Sequence, residues 1–287
     1  MVVLEARKVR ILLLVLLLPT VCLAEMINWI VVDYPPYYIL EGDLTGQGRD
    51  ELVIDLVSAN LVGYQFKRHV MPASRAVKAL GKDDVVYCMA SLYRNKEREA
   101  SISFTDEYST LGLSPAIAMR KSLADKLQLE SSEAVSLTRL IMQNGLTIGT
   151  TLNRSFGKEI DEIISLSPEQ QISARAGRDT LESLTYMLLK GRVDIILGYP
   201  SEHTYLKTVM DKQDELMQIT VLEAKAVAKG YIGCSKNVAG EAAVKAINSV
   251  LSKVNQSEQF KSVMLRWLPE HMTPILKPYL SEISSTP

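Results

Sequence analysis

The chain has 287 residues, of which 47% are hydrophobic and 23% charged, a composition that excludes disordered, collagen-like and coiled-coil proteins. Its formal net charge is −1, with 32 basic against 33 acidic residues, so it lacks the basic excess that nucleic-acid binding requires. We therefore expect a globular protein with one large or two modest hydrophobic cores and no nucleic-acid partner.

The first 24 residues have the features of a secretory signal peptide. Basic residues at positions 7, 8 and 10 precede an unbroken apolar run over residues 11–18, and Cys22-Leu23-Ala24 supplies small residues before a cleavage site. The apolar run is too short to span a bilayer, and no later segment has the roughly 18 to 20 apolar residues that a membrane helix needs. We expect cleavage after Ala24 and a soluble periplasmic protein with no membrane span. Lipid attachment at Cys22 is the alternative.

Two cysteines remain after this cleavage, Cys88 and Cys234. An oxidising compartment permits a disulfide between them if their Cβ atoms come within bonding reach. The alternative, which we take as the default, is a pair of buried free thiols.

Short β-rich runs alternate with amphipathic helical stretches from residue 27 onward, which predicts an α/β protein with mainly parallel sheets. The first series has strands at 27–32, 64–70 and 85–89 and helices at 51–61 and 72–81. After a break over residues 114–127, strands follow at 146–150, 171–174 and 193–197, with helices at 156–164, 180–189 and 201–211.

The C-terminal part continues this pattern with extended segments at 218–222 and 231–234 and a long helix that ends near Val254. The last residues, rich in Pro, Ser and Thr, are expected to be loose. The interrupted alternation predicts two lobes. Because no Gly/Ser-rich linker occurs, we expect the lobes to be joined by strands that form a hinge.

Aromatic and basic residues follow the predicted strands, at the edge of the sheet where α/β proteins bind ligands. After the first strand, the rings of Tyr34 and Tyr37 can stack on a flat or apolar part of a ligand; the alternative is a proline-stiffened loop that covers the lobe. After the second strand, Arg75 can bind a ligand carboxylate or pair with an acid such as Asp55.

Two later segments also combine basic and hydroxyl side chains. The first contains Arg94 and Arg98, whose guanidinium groups can bind a carboxylate through two parallel hydrogen bonds. In the second, Arg154 and Ser155 lie where a strand leads into a helix, so that an anion can dock at free N–H groups. The alternative for Ser155 is a plain helix N-cap.

Five segments, in this order, make the whole mature chain resemble the bacterial extracellular solute-binding proteins, family 3. They are DYPPYYI, SLYRNKEREASISFTDEY, GLTIGTTLNRSFG, LLKGRVDIILGYP and NQSEQFKSVMLRWL. The resemblance implies a two-lobed periplasmic-binding-protein fold that closes on its ligand about two hinge strands. Lobe 1 would comprise residues 25–117 and 224–287, and lobe 2 residues 118–223.

The resemblance also implies a ligand site by position. Arg98 matches the arginine that holds the ligand α-carboxylate in amino-acid-binding members, so Arg98→Ala is expected to abolish binding. Tyr199 stands where those members have an acid that binds the α-ammonium, so an ordinary α-amino acid is not expected unless Glu202 substitutes. Supporting contacts are implied for Tyr34, Tyr37, Ser91, Tyr93, Arg154 and Ser155.

The sequence therefore predicts a periplasmic protein that captures a small polar, carboxylate-bearing ligand for an inner-membrane ABC transporter or a sensor. It predicts no catalysis, no cofactor and no metal. One alternative is an exported, dehydratase-like enzyme on the same fold, and another is a sensory or partner-binding protein without a transporter. The acid–base candidates for an enzyme are His69, Glu51, Asp106, Glu107 and Glu202.

Overall fold

The computed structural model describes residues 25–81, 85–152, 154–176, 179–212 and 214–282. The predicted signal peptide, with Cys22, and the last five residues lie outside this part of the chain. None of the helices within it combines the length and the apolar character that a membrane crossing needs.

The strands are named in chain order. They are β1 (Glu25–Val31), β2 (Tyr64–Val70), β3 (Tyr87–Leu92), β4 (Ile102–Leu113), β5 (Ala116–Arg120), β6 (Ile148–Thr151), β7 (Ile172–Arg175), β8 (Ile195–Gly198), β9 (Leu216–Thr220) and β10 (Val227–Ser235).

The α-helices are also numbered in chain order. They are α1 (Arg49–Asn60), α2 (Ala73–Leu80), α3 (Lys96–Glu99), α4 (Lys121–Lys126), α5 (Lys158–Leu166), α6 (Thr180–Leu189), α7 (Pro200–Val209), α8 (Val238–Gln256), α9 (Glu258–Leu265) and α10 (Thr273–Glu282). A π-helical turn covers Arg139–Gln143, and 3₁₀ turns cover Glu169–Gln171 and Glu270–Met272.

The strands form two five-stranded sheets, each the centre of one lobe. The order is β2-β1-β3-β10-β4 in lobe 1 and β7-β6-β8-β5-β9 in lobe 2. The sheets are mixed rather than mainly parallel, because β10 runs antiparallel to both β3 and β4, and β5 runs antiparallel to both β8 and β9. The other pairings are parallel, as the strand-helix alternation predicts.

The chain passes between the lobes twice. It leaves lobe 1 between β4 and β5, through residues 114–115, and returns between β9 and β10, through residues 221–226. The two passages lie side by side, since the Ser114 N–H donates to the Ala226 carbonyl at 3.4 Å. Of the predicted lobe boundaries, the one after residue 117 falls inside β5 and the one before residue 224 falls inside the returning passage. Two short adjacent passages suit a hinge between rigid lobes.

A continuous hydrophobic core fills lobe 1. Trp29 of β1 and Phe260 of α9 are fully buried in it, and α8 packs on the sheet through Val244, Ile247 and Leu251, three positions of its predicted apolar face. The last five residues, which are predicted to be loose, lie outside the described part of the chain, and α10 directly before them buries Leu276 and Leu280. Because these two leucines are four residues apart, they lie on one face of the helix, and this face packs against the lobe 1 core.

Cys88 and Cys234 form a disulfide in this core. Cys88 of β3 and Cys234 of β10 are paired across the antiparallel ladder, with their Cα atoms 4.1 Å apart. The default prediction of two free thiols is therefore wrong. The sequence permits this pairing but does not determine it, because the two cysteines are 146 positions apart and the register of β10 against β3 has no local signal.

Candidate functional site

The candidate site is a cavity of about 200 Å³ between the two lobes. Lobe 1 supplies most of its wall, from the ends of β1, β3 and β4, the first turn of α1 and the start of β10. Lobe 2 supplies Arg154, which follows β6, and Tyr199, which follows β8. The parallel strands of both lobes thus direct their carboxyl ends at the cavity, which is the usual ligand position in α/β sheets.

Arg49, the first residue of α1, is the guanidinium that lobe 1 places in this cavity. Its Nε donates to Asp50 Oδ1 at 2.8 Å, and its Nη2 donates to Ser91 Oγ at 2.8 Å. The guanidinium lies 4.5 Å from the centre of the Tyr37 ring. Burial raises the pKa of Asp50, and the ion pair with Arg49 opposes this rise. Nη1 has no hydrogen-bond partner among the described residues, which leaves its N–H groups for a ligand.

Ser91 connects this arginine to the neighbouring strands. It has a φ of 62°, in the left-handed region that costs a non-glycine residue about 1 kcal/mol. Its Oγ lies 2.9 Å from Thr110 Oγ1 of β4. Gly230 of β10 packs against both, because a Cβ at position 230 would come within 2.4 Å of Thr110 Oγ1 and 2.7 Å of Ser91 Cα. A side chain at this glycine would therefore displace the residues that hold Arg49.

In lobe 2, Arg154 forms a buried ion pair with Glu202. Arg154 Nη2 donates to Glu202 Oε1 at 2.5 Å and Nη1 donates to Oε2 at 3.1 Å, while Oε2 also accepts from the Tyr199 N–H at 3.0 Å. Burial by itself would raise the pKa of Glu202, but Arg154 and the Tyr199 amide outweigh it and lower that pKa. Glu202 is 1% exposed, so Arg154 is held from behind and presents its remaining donors to the cavity.

Tyrosine rings also line the cavity, and two tyrosine contacts join the lobes. Tyr93 Oη and Tyr199 Oη are 2.5 Å apart, and Tyr37 Oη lies 3.3 Å from Ser201 Oγ at the start of α7. Tyr34 stacks on Tyr37 with ring centres 5.7 Å apart. Burial, the largest cause in each case, raises the pKa values of Tyr34, Tyr37 and Tyr199 above 10.0, so these phenols are neutral at physiological pH.

Six of the nine predicted ligand-binding residues line this cavity: Tyr34, Tyr37, Ser91, Tyr93, Arg154 and Tyr199. The other three do not. Arg98, in α3, donates from Nη1 to the Tyr93 carbonyl at 3.0 Å and so supports the loop behind the cavity. Ser155 donates to Asp161 Oδ2 at 2.5 Å, and Arg75 is exposed on α2.

Several lining residues were not predicted from the sequence, and those with polar side chains are Tyr38, Arg49, Asp50, Thr110 and Lys229. Arg49 and Asp50 follow a glycine at the start of a predicted helix, a position that indicates a helix N-terminus but no ligand. Lys229 lies on β10 and reaches the cavity through the order of the strands, for which the sequence carries no local signal.

The remaining charged candidates lie outside the cavity lining. Arg94 donates from Nε to Glu99 Oε1 at 2.5 Å, and the Glu51 carboxylate accepts from the Ile39 and Gly48 amides. His69 Nε2 lies 2.8 Å from Asn28 Oδ1. The backbone N–H groups of Asp106 and Glu107 both donate to Asn248 Oδ1 of α8, and Asn248 Nδ2 donates to Asp106 Oδ2. The five acid–base candidates, including Glu202, thus lie outside the cavity lining.

A second cavity, of about 470 Å³, lies on the other side of Tyr34. It is bounded by the loop after β1 and by α6 and α7, and carboxylates at positions 33, 41, 179 and 182 line it. The smaller cavity remains the candidate site because it contains the two arginines, the left-handed Ser91 and the tyrosines that join the lobes.

Comparison with known proteins gives one family match. The family model described as bacterial extracellular solute-binding proteins, family 3, matches residues 28–270. A comparison with curated protein sequences found no match.

Solved structures share the fold at low sequence identity. A probable amino-acid ABC transporter extracellular-binding protein from Bacillus subtilis is 19% identical with a TM-score of 0.62, covering 86% of this chain and 99% of its own. A histidine kinase sensor domain with similarity to periplasmic binding proteins is 14% identical with a TM-score of 0.61, covering 85% and 96%. A substrate-binding protein of a Streptococcus pneumoniae ABC uptake transporter, with bound histidine, is 14% identical with a TM-score of 0.59, covering 85% and 92%.

Proposed function

Because the chain belongs to the bacterial extracellular solute-binding proteins, family 3, we propose that it captures a small carboxylate-bearing solute between its lobes without catalysing a reaction. It acts in the periplasm after removal of residues 1–24 as a signal peptide. The captured solute is delivered to an inner-membrane ABC transporter or presented to a sensor, and similar structures come from both kinds of system.

One observation carries the proposal: the cavity has a guanidinium from each lobe in its wall. Arg49 comes from lobe 1 and Arg154 from lobe 2, and each is held by its own carboxylate. A solute that accepts hydrogen bonds from both stabilises the closed arrangement relative to an open one. Differential affinity of this kind is all that a solute needs to shift the population of the two states.

The positions of the acid–base candidates favour binding over catalysis. A general acid or base must lie within hydrogen-bond reach of the reacting group. Glu51 Oε2 accepts from two backbone amides, both oxygens of Glu202 accept from Arg154, and neither residue lines the cavity. Asp50, which does line the cavity, is paired with Arg49.

Trp267 gives a direct test of solute capture. It lies in lobe 1 after α9, and its ring meets that of Tyr205 of α7 in lobe 2 edge to face, with centres 5.3 Å apart. Trp29 is the second tryptophan and is buried in the lobe 1 core, so a fluorescence change on closure reports Trp267.

We expect protein purified gently from the periplasm to retain a small molecule in native mass spectrometry. Unfolding, stripping and refolding should lower the melting temperature, and adding back the released solute should restore both that temperature and the Trp267 fluorescence. Absence of any retained solute, together with no response to a library of small acids, amino acids and sugars, would contradict the proposal.

Arg49→Lys is expected to weaken solute binding by about 10- to 100-fold with little loss of stability. A lysine keeps the positive charge beside Asp50, but its one nitrogen cannot take the positions of the Arg49 Nε at Asp50, Nη2 at Ser91 and Nη1 toward a solute. Isothermal titration calorimetry against the released solute measures this change.

Arg98→Ala is the matched control. Because Arg98 lies outside the cavity lining and contacts the Tyr93 carbonyl, we now expect its loss to weaken binding by less than about 10-fold. If Arg98→Ala abolishes binding while Arg49→Lys leaves it intact, the assignment of Arg49 is wrong and the role implied by the family resemblance is right.

A further inference from the structure

We propose that the site selects a compact monocarboxylate with a planar body and rejects zwitterionic α-amino acids. This inference rests on the proposed function and names the class of solute. Its basis is the charge balance of the cavity, the pairing of Asp50 and Glu202 with arginines, and the tyrosine rings in the wall.

The charges around the cavity leave an excess of one positive charge among the described residues. Arg49, Arg154 and Lys229 are the cations of the lining, and the Lys229 ammonium lies at its edge, 5.0 Å from the centre of the Tyr108 ring. Asp50 lines the cavity beside Arg49, and Glu202 lies directly behind Arg154. The tyrosines contribute no charge, because burial keeps their phenols protonated. A monoanion neutralises this excess, whereas a zwitterion leaves it in place and a dianion reverses it.

Among the described residues that line the cavity or lie directly behind it, an α-ammonium group would find no carboxylate that is not already paired with an arginine. Both oxygens of Glu202 accept hydrogen bonds from Arg154, and one also accepts from the Tyr199 amide. Asp50 is bound by the Arg49 Nε. Enclosing an ammonium without a partner carries a large desolvation penalty, so we expect α-amino acids to bind at least about 100-fold more weakly than the corresponding acids without the amine.

The remaining wall suits a planar body of modest size. The rings of Tyr34 and Tyr37 stack 5.7 Å apart, and Tyr93 and Tyr199 face the cavity from opposite lobes. Offset or edge-to-face contact with such rings favours an aromatic or otherwise flat solute. The volume of about 200 Å³ is below the range of roughly 300 to 1,000 Å³ for pockets that hold drug-sized ligands.

Three isosteric probes test the proposal: phenylacetate, L-phenylglycine and phenylacetamide. L-Phenylglycine adds only an α-ammonium to phenylacetate, and phenylacetamide removes only its charge. With ligand-stripped protein in calorimetry, we expect phenylacetate to bind at least about 100-fold more tightly than L-phenylglycine. We expect it to bind about 10-fold more tightly than phenylacetamide, because a carboxylate accepts stronger hydrogen bonds from guanidinium groups.

A pair of lysine variants tests the charge balance without disturbing the core. Lys229 is exposed at the edge of the cavity, and Lys225 is exposed in the passage between the lobes, outside the lining. Lys229→Met should weaken phenylacetate binding by about threefold and leave phenylacetamide binding unchanged. Lys225→Met should change neither.

The outcomes separate this inference from the proposed function. If L-phenylglycine or a protein amino acid binds as tightly as phenylacetate, the solute class is wrong while solute capture stands. Equal binding of phenylacetamide and phenylacetate, or equal effects of the two lysine variants, also overturns the charge argument. If no probe binds and native mass spectrometry finds no retained solute, the proposed function itself fails.

Discussion

Replacing Glu202 with alanine is expected to lower the free energy of unfolding by about 3 kcal/mol, because the variant keeps the Arg154 guanidinium buried without its carboxylate. The variant also loses the hydrogen bond that Glu202 accepts from the Tyr199 amide at the start of α7. Urea denaturation at neutral pH, followed by circular dichroism, measures the change. Glu162→Ala, an exposed glutamate of α5 in the same lobe, should change stability by less than about 0.5 kcal/mol.

A double variant, Arg154→Met with Glu202→Leu, should recover most of this stability, since it removes both charges from the buried pair. If the double variant is less stable than Glu202→Ala, the loss does not come from an uncompensated arginine.

The ion pair between Arg154 and Glu202 also predicts that the free energy of unfolding depends on pH. The pKa of Glu202 is lower in the folded protein than its ordinary value of 4.5, so the stabilisation is complete above that value and is lost as the pH falls through the folded-state pKa. The stability difference between the wild type and Glu202→Ala should therefore narrow as the pH falls below 4.5. A difference that is constant from neutral pH to pH 3 would contradict the assignment of an ionised Glu202.

The second large effect is expected for the disulfide between Cys88 and Cys234. Replacing both cysteines with alanine should lower the free energy of unfolding by about 4 to 5 kcal/mol, because the unfolded chain gains the freedom of a loop of 146 residues. Both cysteines are fully buried between β3 and β10, so lost packing adds to this value.

Adding a reductant separates the stability that the disulfide contributes from the stability that the packing of the two cysteine side chains contributes. A strong reductant should shift the urea midpoint of the wild type toward that of the double alanine variant and leave the variant unchanged. Two free thiols titrated in the unreduced, unfolded wild type would show that the disulfide is absent.

Local pattern explains which elements could be predicted. Strand β2 and helix α6 have the predicted bounds, because alternation and helical spacing are complete within each segment. Strand β4 was missed: α8 and β10 bury it so extensively that its sequence, ISFTDEYSTLGL, does not alternate. Strand β5 was missed because it begins directly after Pro115, in the segment that the sequence analysis treated as a break.

The residues of the site also divide into those that a local sequence pattern indicates and those that depend on contacts between distant segments. Tyr34 and Tyr37 could be predicted because they follow the first strand in one short segment. Arg49 could not, since its contact with Ser91 joins residues 42 apart and depends on how α1 packs beside β3. Arg98 was favoured for its position in a motif, yet the hydrogen bond to the Tyr93 carbonyl directs its guanidinium toward its own loop.

The position of β10 also sets the order in which the molecule can be completed during synthesis. All five strands of lobe 2 are contiguous in the chain, between residues 116 and 220, so its sheet can form as soon as that stretch is available. Lobe 1 differs, because β10 separates β3 from β4 and both of these strands emerge more than 100 residues earlier. Until β10 has been synthesised, β4 has no neighbouring strand in the sheet, and Cys88 cannot form its disulfide with Cys234. The lobe that begins first is therefore the lobe that finishes last, and a nascent chain carries an unpaired strand edge from the synthesis of β4, which ends at Leu113, until that of β10, which begins at Val227.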